Sequence, residues 1–167
     1  ITTAFHSNCG GQTCNSEDVW GMSKPYLRSV RDTFCTRQRN ATWVKSVPKA
    51  NWVNYLNQNC KPCANDTTLL CCNFDQTERK TSLNYSTIQI PLKNIRSDLK
   101  LKSSFFAIQL LPDSVLFVGK GYGHGVGLCQ EGAIQMAKAG LKYNYILHYY
   151  YKDVDIINLN QLHFFKD

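Results

Sequence analysis

The sequence predicts one α+β domain, with small mixed sheets and short helices. Strand-like alternation of apolar residues is concentrated at 85–90 and 105–118, just before a glycine-rich run. Helical spacing of apolar residues follows that run at 130–139. The 167 residues, 43% of them hydrophobic, suffice for a single domain with a sizeable core. We therefore predict one domain over residues 1–167.

The first thirty residues alternate extended pieces with turns. Residues 1–13 favour an extended segment that turns at Gly10 and Gly11. A short helix or turn is predicted at 15–20, with Ser16 as its cap. Residues 26–30 then predict a strand or a wall of the core.

Residues 36–81 form a predicted insertion. Trp43, Val44 and Val47 recur at helical spacing, and a helix start is predicted near Pro48. Four cysteines follow, namely Cys60, Cys63, Cys71 and Cys72. Disulfides are favoured over zinc there, because adjacent cysteines cannot easily serve one tetrahedral site together.

The second half of the chain supplies most of the predicted strands. These are 85–90, 105–111, 115–118 and 153–159. The predicted helices are 92–100 and 130–139, and Gly140 is a suitable C-terminal cap. The aromatic stretch 143–151 fits either a helix or a strand.

The charge of the chain narrows the class of partner. Nineteen basic and twelve acidic residues give a net charge of +7, which favours nucleic acid, anionic lipid or acidic polysaccharide, unless the excess is simply spread over the surface. No helix-turn-helix, zinc-finger or base-stacking pattern supports nucleic acid. No transmembrane segment is predicted, since no apolar run approaches about eighteen residues.

Glycines alternate with other residues from Gly119 to Gly127. This run matches neither a dinucleotide fingerprint nor a phosphate-binding loop, because the third glycine is out of register and no Gly-Lys-Ser/Thr closes it. A tight loop packed under neighbouring backbone is one interpretation. Polar side chains beside the run favour a functional site instead, namely those of His124, Cys129, Gln130 and Glu131.

Eight cysteines indicate either disulfides outside the cytoplasm or metal binding. The spacing of His6, Cys9 and Cys14 is compatible with three zinc ligands, leaving a fourth position for water, a carboxylate or His124. A Cys9–Cys14 disulfide, or pairing of these cysteines elsewhere, is the alternative.

Two segments carry a resemblance to a known family. Residues 121–130 read GYGHGVGLCQ, and residues 5–13 read FHSNCGGQT. With SEDVWG at 16–21 and PYLRSV at 25–30, they resemble the stage II sporulation protein D family. The resemblance covers both ends of the chain in order and leaves 36–81 unexplained.

The resemblance implies a peptidoglycan lytic transglycosylase or an amidase enhancer of cell-wall turnover. Such an enzyme cuts glycan strands between N-acetylmuramic acid and N-acetylglucosamine and leaves a 1,6-anhydro end. One carboxyl group protonates the glycosidic oxygen and then accepts the proton of the attacking hydroxymethyl group. Peptidoglycan strands, a wall amidase and an extracytoplasmic location are implied as well.

The resemblance also assigns residues to the site. The family's catalytic glutamate is expected upstream of Ile1, which fits a processed or trimmed chain. Glu17 is expected to have a structural role, and Glu131 either contacts the site or stabilises a helix N-terminus. Some members carry zinc beside the cleft, held by a histidine and two cysteines of the opening loop. The candidate substrate-binding residues are His6, Ser7, Tyr122, His124, Gln130, Glu131 and Tyr149.

Overall fold

The computed structural model describes residues 1–59, 73–85 and 88–158. Its strands are β1 (Phe5–His6), β2 (Thr42–Pro48), β3 (Ser82–Tyr85), β4 (Ile88–Pro91), β5 (Phe106–Leu110), β6 (Ser114–Lys120) and β7 (Leu128–Cys129). Its helices are α1 (Ser16–Trp20), α2 (Lys49–Asn59), α3 (Leu92–Asp98), α4 (Gln130–Lys138) and α5 (Tyr143–Tyr150). Short helices among small sheets confirm the predicted α+β class.

The largest described sheet is antiparallel, with strand order β2–β6–β5. Its buried face packs on α2, where the Trp52 ring meets the Phe117 ring edge-on at 5.4 Å between centroids. Trp43 pairs with Gly119, and a Cβ at Gly119 would lie 2.0 Å from the Trp43 ring. A glycine is therefore needed for the ring to cover the strand.

A second core lies under the glycine run. The parallel pair β1–β7 and helices α4 and α5 surround it. Val126, Met136 and Tyr150 are fully buried there, together with three of the cysteines. Burying each large apolar side chain contributes about 1.5–3 kcal/mol, so this core fixes the loop that precedes α4.

The structure confirms several predicted elements and corrects the assignment of residues 42–48. The β5–β6 hairpin, α3 and α4 occupy the predicted places, and the aromatic stretch is the helix α5. The helix start predicted near Pro48 is confirmed by α2, which begins at Lys49, whereas Trp43, Val44 and Val47, which recur at helical spacing, lie in the strand β2. Trp43 and Val47 are four residues apart, which places them on one side of a strand as well as of a helix.

Two segments for which a strand was predicted form none in the described residues. Residues 26–30 form no strand, although Leu27 is buried and so supports the alternative of a core wall. Residues 153–158 form none either, within the range described. The predicted strand 85–90 is divided between two antiparallel strands, β3 and β4.

The predicted insertion 36–81 contributes β2 to the largest sheet and α2 to its core. Cys60, Cys63, Cys71 and Cys72, for which disulfides are predicted, lie outside the described residues. Within the described ranges, no helix has both the length and the apolar character needed to cross a bilayer.

Candidate functional site

The glycine run forms a loop that lies against the opening segment of the chain. Tyr122 donates its backbone N–H to the Asn8 carbonyl at 2.8 Å, and Asn8 donates back to Tyr122 at 3.1 Å. Four glycines of the loop have φ values between +71° and +117°. The structure thus brings together the two segments in which the sequence analysis placed the site.

His124 of this loop lies between the exposed ring of Trp20 and the buried ring of His6. Its ring is 5.3 Å from the Trp20 ring and 5.7 Å from the His6 ring, measured between centroids. Trp20 is 48% exposed, and Tyr122, which precedes His124 by two residues, is 46% exposed. Half-buried His124 and these two rings form a surface that we call the His124 face.

Both histidines of the site favour the neutral form. His6 donates from Nδ1 to the Val126 carbonyl at 3.1 Å, while its buried Nε2 has no hydrogen-bond partner. Burial lowers the pKa of His6 to about 4. Burial also lowers the pKa of His124, whose Nδ1 accepts the backbone N–H of Val126 at 3.1 Å.

The low pKa of His6 leads to a prediction about acid stability. Between pH 6.5 and 4 the unfolded chain binds a proton at His6 that the folded chain does not bind. The stability linked to His6 is therefore fully present above pH 6.5 and is lost as the pH drops towards 4. Over this window, we expect the free energy of unfolding of the unaltered chain to fall by up to about 3 kcal/mol more than that of His6→Gln. Urea unfolding of both proteins at several pH values measures the difference. Parallel pH profiles would show that His6 does not cause it.

Glu131 joins three segments of the site. Its carboxylate accepts hydrogen bonds from the side-chain amides of Asn8 and Asn40, each at 2.6 Å. Asn40 also donates to the Ser7 hydroxyl at 3.1 Å. Glu131 lies in the first turn of α4, where a negative charge stabilises the helix, so it combines that role with contacts to the opposite loop.

Glu17 is held in an ion pair with Arg28. Two guanidinium nitrogens donate to its two carboxylate oxygens, at 2.7 and 2.5 Å. Hydrogen bonding to Arg28 lowers the pKa of Glu17 to about 2. A carboxylate this acidic is ionised at neutral pH and cannot act as a general acid.

Three cysteines and an aspartate form a buried cluster beside the site. Cys9, Asp32, Cys35 and Cys129 each offer one ligand atom, and these atoms all lie within 4.8 Å of one another. The Sγ atom of Cys9 is 3.3 Å from that of Cys35 and 3.4 Å from an oxygen of Asp32. The chain therefore has a preformed group of residues that could hold a metal ion.

Neighbouring groups orient the members of this cluster. The Cys129 sulfur accepts backbone N–H groups from Cys9 at 3.3 Å and from Gly132 at 3.4 Å. Tyr150 donates its hydroxyl to Asp32 at 2.9 Å. Hydrogen bonding within the cluster raises the pKa of the Cys9 and Cys129 thiols, and burial raises the pKa of Asp32. A bound cation would favour the ionised forms that this crowding opposes.

The predicted metal ligands are divided between two places. Cys9 belongs to the cluster, whereas His6 and Cys14 do not. Cys14 lies on the other side of the glycine loop, where its backbone N–H donates to the Gly125 carbonyl at 2.7 Å. Asp32 and Cys35 were not among the candidates, because nothing near them in sequence marks a site.

The other predicted substrate-binding residues lie in two places as well. Gln130 is exposed at the start of α4, beside Ser7, whose carbonyl accepts the Glu131 N–H at 3.0 Å. Tyr149 lies on α5, where its hydroxyl donates to the Arg31 carbonyl and its ring packs against Tyr145 and Tyr150. These contacts hold Tyr149 in place, and its assignment to substrate binding stays a prediction.

Comparison with known proteins places this geometry in context. No family model matches the chain. An uncharacterized protein of Brachyspira hyodysenteriae is 32% identical over 97% of the chain. Stage II sporulation protein D of Bacillus amyloliquefaciens is 28% identical over 93% of the chain, and the amidase enhancer of Bacillus subtilis is 28% identical over 90%. The chain spans 45%, 45% and 29% of these relatives, respectively.

These similarities extend over 90–97% of the chain. Stage II sporulation protein D of Bacillus subtilis is likewise 28% identical over 93% of the chain. The chain is therefore similar over most of its length to stage II sporulation protein D, which supports the resemblance seen in its sequence motifs.

Proposed function

We propose that this chain binds peptidoglycan glycan strands, and that the protein containing it cleaves them by lytic transglycosylation during wall remodelling or sporulation. The His124 face carries this proposal, because it presents exposed Trp20 and Tyr122 beside a half-buried polar side chain. Aromatic faces of this kind offer apolar surface to sugar rings. The names of the relatives, stage II sporulation protein D and amidase enhancer, support a role in sporulation or in amidase activation. The wall and a location outside the cytoplasm come from the family resemblance of the motifs.

The reaction requires one carboxylic acid that protonates the glycosidic oxygen. Glu17 and Glu131 do not suit this role, because an arginine holds the first and two asparagine side chains hold the second. The family resemblance assigns the acid to a glutamate upstream of Ile1. In this proposal the described residues bind and orient the glycan, and that glutamate transfers the proton.

The test is cleavage of peptide-stripped glycan strands. We expect the longest available form of the protein to produce 1,6-anhydro-muramic ends, detected by mass spectrometry. Trp20→Ala should weaken strand binding by about tenfold, since a stacked ring contributes about 1 kcal/mol beyond its buried area. Tyr143→Ala is the matched control, because Tyr143 is an exposed aromatic residue on α5. Absence of anhydro ends and equal binding by both variants would contradict the proposal.

An alternative function is that of a non-catalytic module that activates a wall amidase. Two observations favour it: the two glutamates near the site are already engaged, and one relative is named an amidase enhancer. This module would bind peptidoglycan and raise the rate of an amidase, without forming anhydro ends. Measuring both products in one digestion separates the two functions.

We further propose that the buried cluster of Cys9, Asp32, Cys35 and Cys129 binds a zinc ion. Thiolate sulfur with one carboxylate oxygen in a buried group of four is a ligand set that suits Zn²⁺. Four protein ligands leave no position for water, so the ion would be structural. Its ligands come from the opening loop, the 32–35 turn and the start of α4, so the ion would hold these three together.

A further inference from the structure

A basic pocket opens beside the His124 face. It is lined on one side by Cys14 and His124 of the two loops, and on the other by Arg79, Lys93 and Arg96. Its empty volume, including the open mouth, is about 490 Å³. None of these residues was among the sequence-based candidates for binding except Cys14 and His124. The pocket adds positive charge beside the aromatic side chains of the proposed glycan-binding face.

Arg96 is the unusual member of this pocket. Its Nε is buried without a hydrogen-bond partner, and the guanidinium forms no ion pair within the described part of the chain. Burial and the nearby charge of Arg79 both lower the pKa of Arg96. A half-buried guanidinium without a carboxylate is costly, and an anion bound in the pocket would compensate it.

Arg79 has a different role in the same pocket. It donates to the backbone carbonyls of Gln12 at 2.7 Å and Cys9 at 2.6 Å. These bonds fix its position and leave its positive charge uncompensated by any described carboxylate. The pocket does contain one acidic residue, Asp18, so its net charge comes from four basic residues, Lys80 among them, against one acidic residue.

We propose that this pocket binds the lactyl carboxylate of a muramic acid residue, with Arg96 as its principal ligand. This inference rests on the proposed glycan function and specifies how one sugar of the strand is recognised. The two sugars of the strand differ in that only muramic acid bears a lactyl ether. Its carboxylate is free once the peptide has been removed. A planar guanidinium matches a carboxylate with two parallel hydrogen bonds.

The position of the pocket supports this choice of ligand. His124 belongs both to the pocket and to the His124 face, where the Trp20 ring lies tilted against it at 5.3 Å between centroids. A sugar ring on the aromatic surface would therefore have its substituents within reach of the pocket.

The experiment compares two ligands and three proteins by calorimetry. One ligand is peptide-stripped glycan with free lactyl carboxylates, and the other is the same glycan with those carboxylates converted to methylamides. We expect the chain to bind the free form about tenfold more tightly, and Arg96→Gln to lose most of that preference. Lys138→Gln, on α4, removes the same charge elsewhere and should keep the preference.

Each outcome has a defined meaning. If Arg96→Gln keeps the tenfold preference, or Lys138→Gln loses as much of it, the pocket does not recognise the carboxylate and the inference is overturned. The glycan function survives that result, because both ligands would still bind. If neither ligand binds the chain, the proposed function itself fails. Circular dichroism checks folding, and Lys93→Gln, exposed on the same helix, replaces Arg96→Gln if that variant unfolds.

Discussion

Replacing Cys35 by serine is expected to abolish the proposed zinc binding and to lower the unfolding temperature by roughly 10 °C. Three ligands remain, but one of them, Asp32, is a carboxylate buried among thiols. A metal that binds only the folded chain stabilises it in proportion to its affinity, and we expect the loss to be about 4 kcal/mol. Treatment of the unaltered protein with a zinc chelator should produce a similar decrease.

Cys14→Ser is the matched control for this prediction. Cys14 is also a buried cysteine of the opening loop, but its sulfur is outside the cluster. Metal analysis should find about one zinc per chain in Cys14→Ser and in the unaltered protein, and little in Cys35→Ser. Loss of zinc in Cys14→Ser and His6→Ala, with zinc retained in Cys35→Ser, would instead support the ligand set inferred from spacing. A metal-free protein without free thiols would indicate disulfides.

The periodicity of the sequence predicted the elements whose residues pack against near neighbours in the chain. The β5–β6 hairpin is an example, since its strands are separated by a short turn and show clear alternation. The helix α4 is another, because its buried positions recur at helical spacing. Trp43 and Val47 were misassigned because a separation of four residues satisfies both periods. Only the partner strand β6, which lies seventy residues later, decides between them.

The candidate site was predictable where its residues are adjacent in sequence. His124 lies within the glycine run, and Cys129 and Glu131 follow it, so their association with a site could be inferred from position alone. The cluster needs contacts over longer distances: Cys9 is 26 residues from Cys35 and 120 from Cys129. Spacing along the sequence can indicate only ligands that lie in one loop. The prediction therefore grouped Cys9 with Cys14 instead of with Cys35 and Cys129.

Arg96 shows a second kind of omission. It is one of several basic residues on and near α3, and its sequence context resembles a solvated helix surface. What distinguishes it is a buried nitrogen without a partner, which depends on the packing of α3 against Arg79 and the glycine loop. Such a property has no counterpart in composition or periodicity, so only the folded chain reveals it.

The second large effect concerns Gly127, which ends the glycine run. Its φ is +71°, and an added Cβ would lie 2.2 Å from the carbonyl oxygen of Ala4. That oxygen accepts the backbone N–H of Leu128 at 2.9 Å, next to the β1–β7 pair. We expect Gly127→Ala to destabilise the fold by about 3–4 kcal/mol, combining unfavourable φ with overpacking against backbone.

Gly140→Ala separates these two contributions. Gly140 also has a positive φ, +87°, but no atom lies within 4 Å of its added Cβ. We expect this variant to lose only about 1 kcal/mol in urea unfolding, from backbone strain alone. The larger loss at Gly127 would then measure how closely the glycine loop approaches the opening segment. Because Cys129 follows Gly127 by two residues, displacement of the loop should also abolish the proposed zinc binding. The Gly140→Ala protein should still bind zinc. Equal losses of stability in the two variants would mean that the close approach contributes nothing.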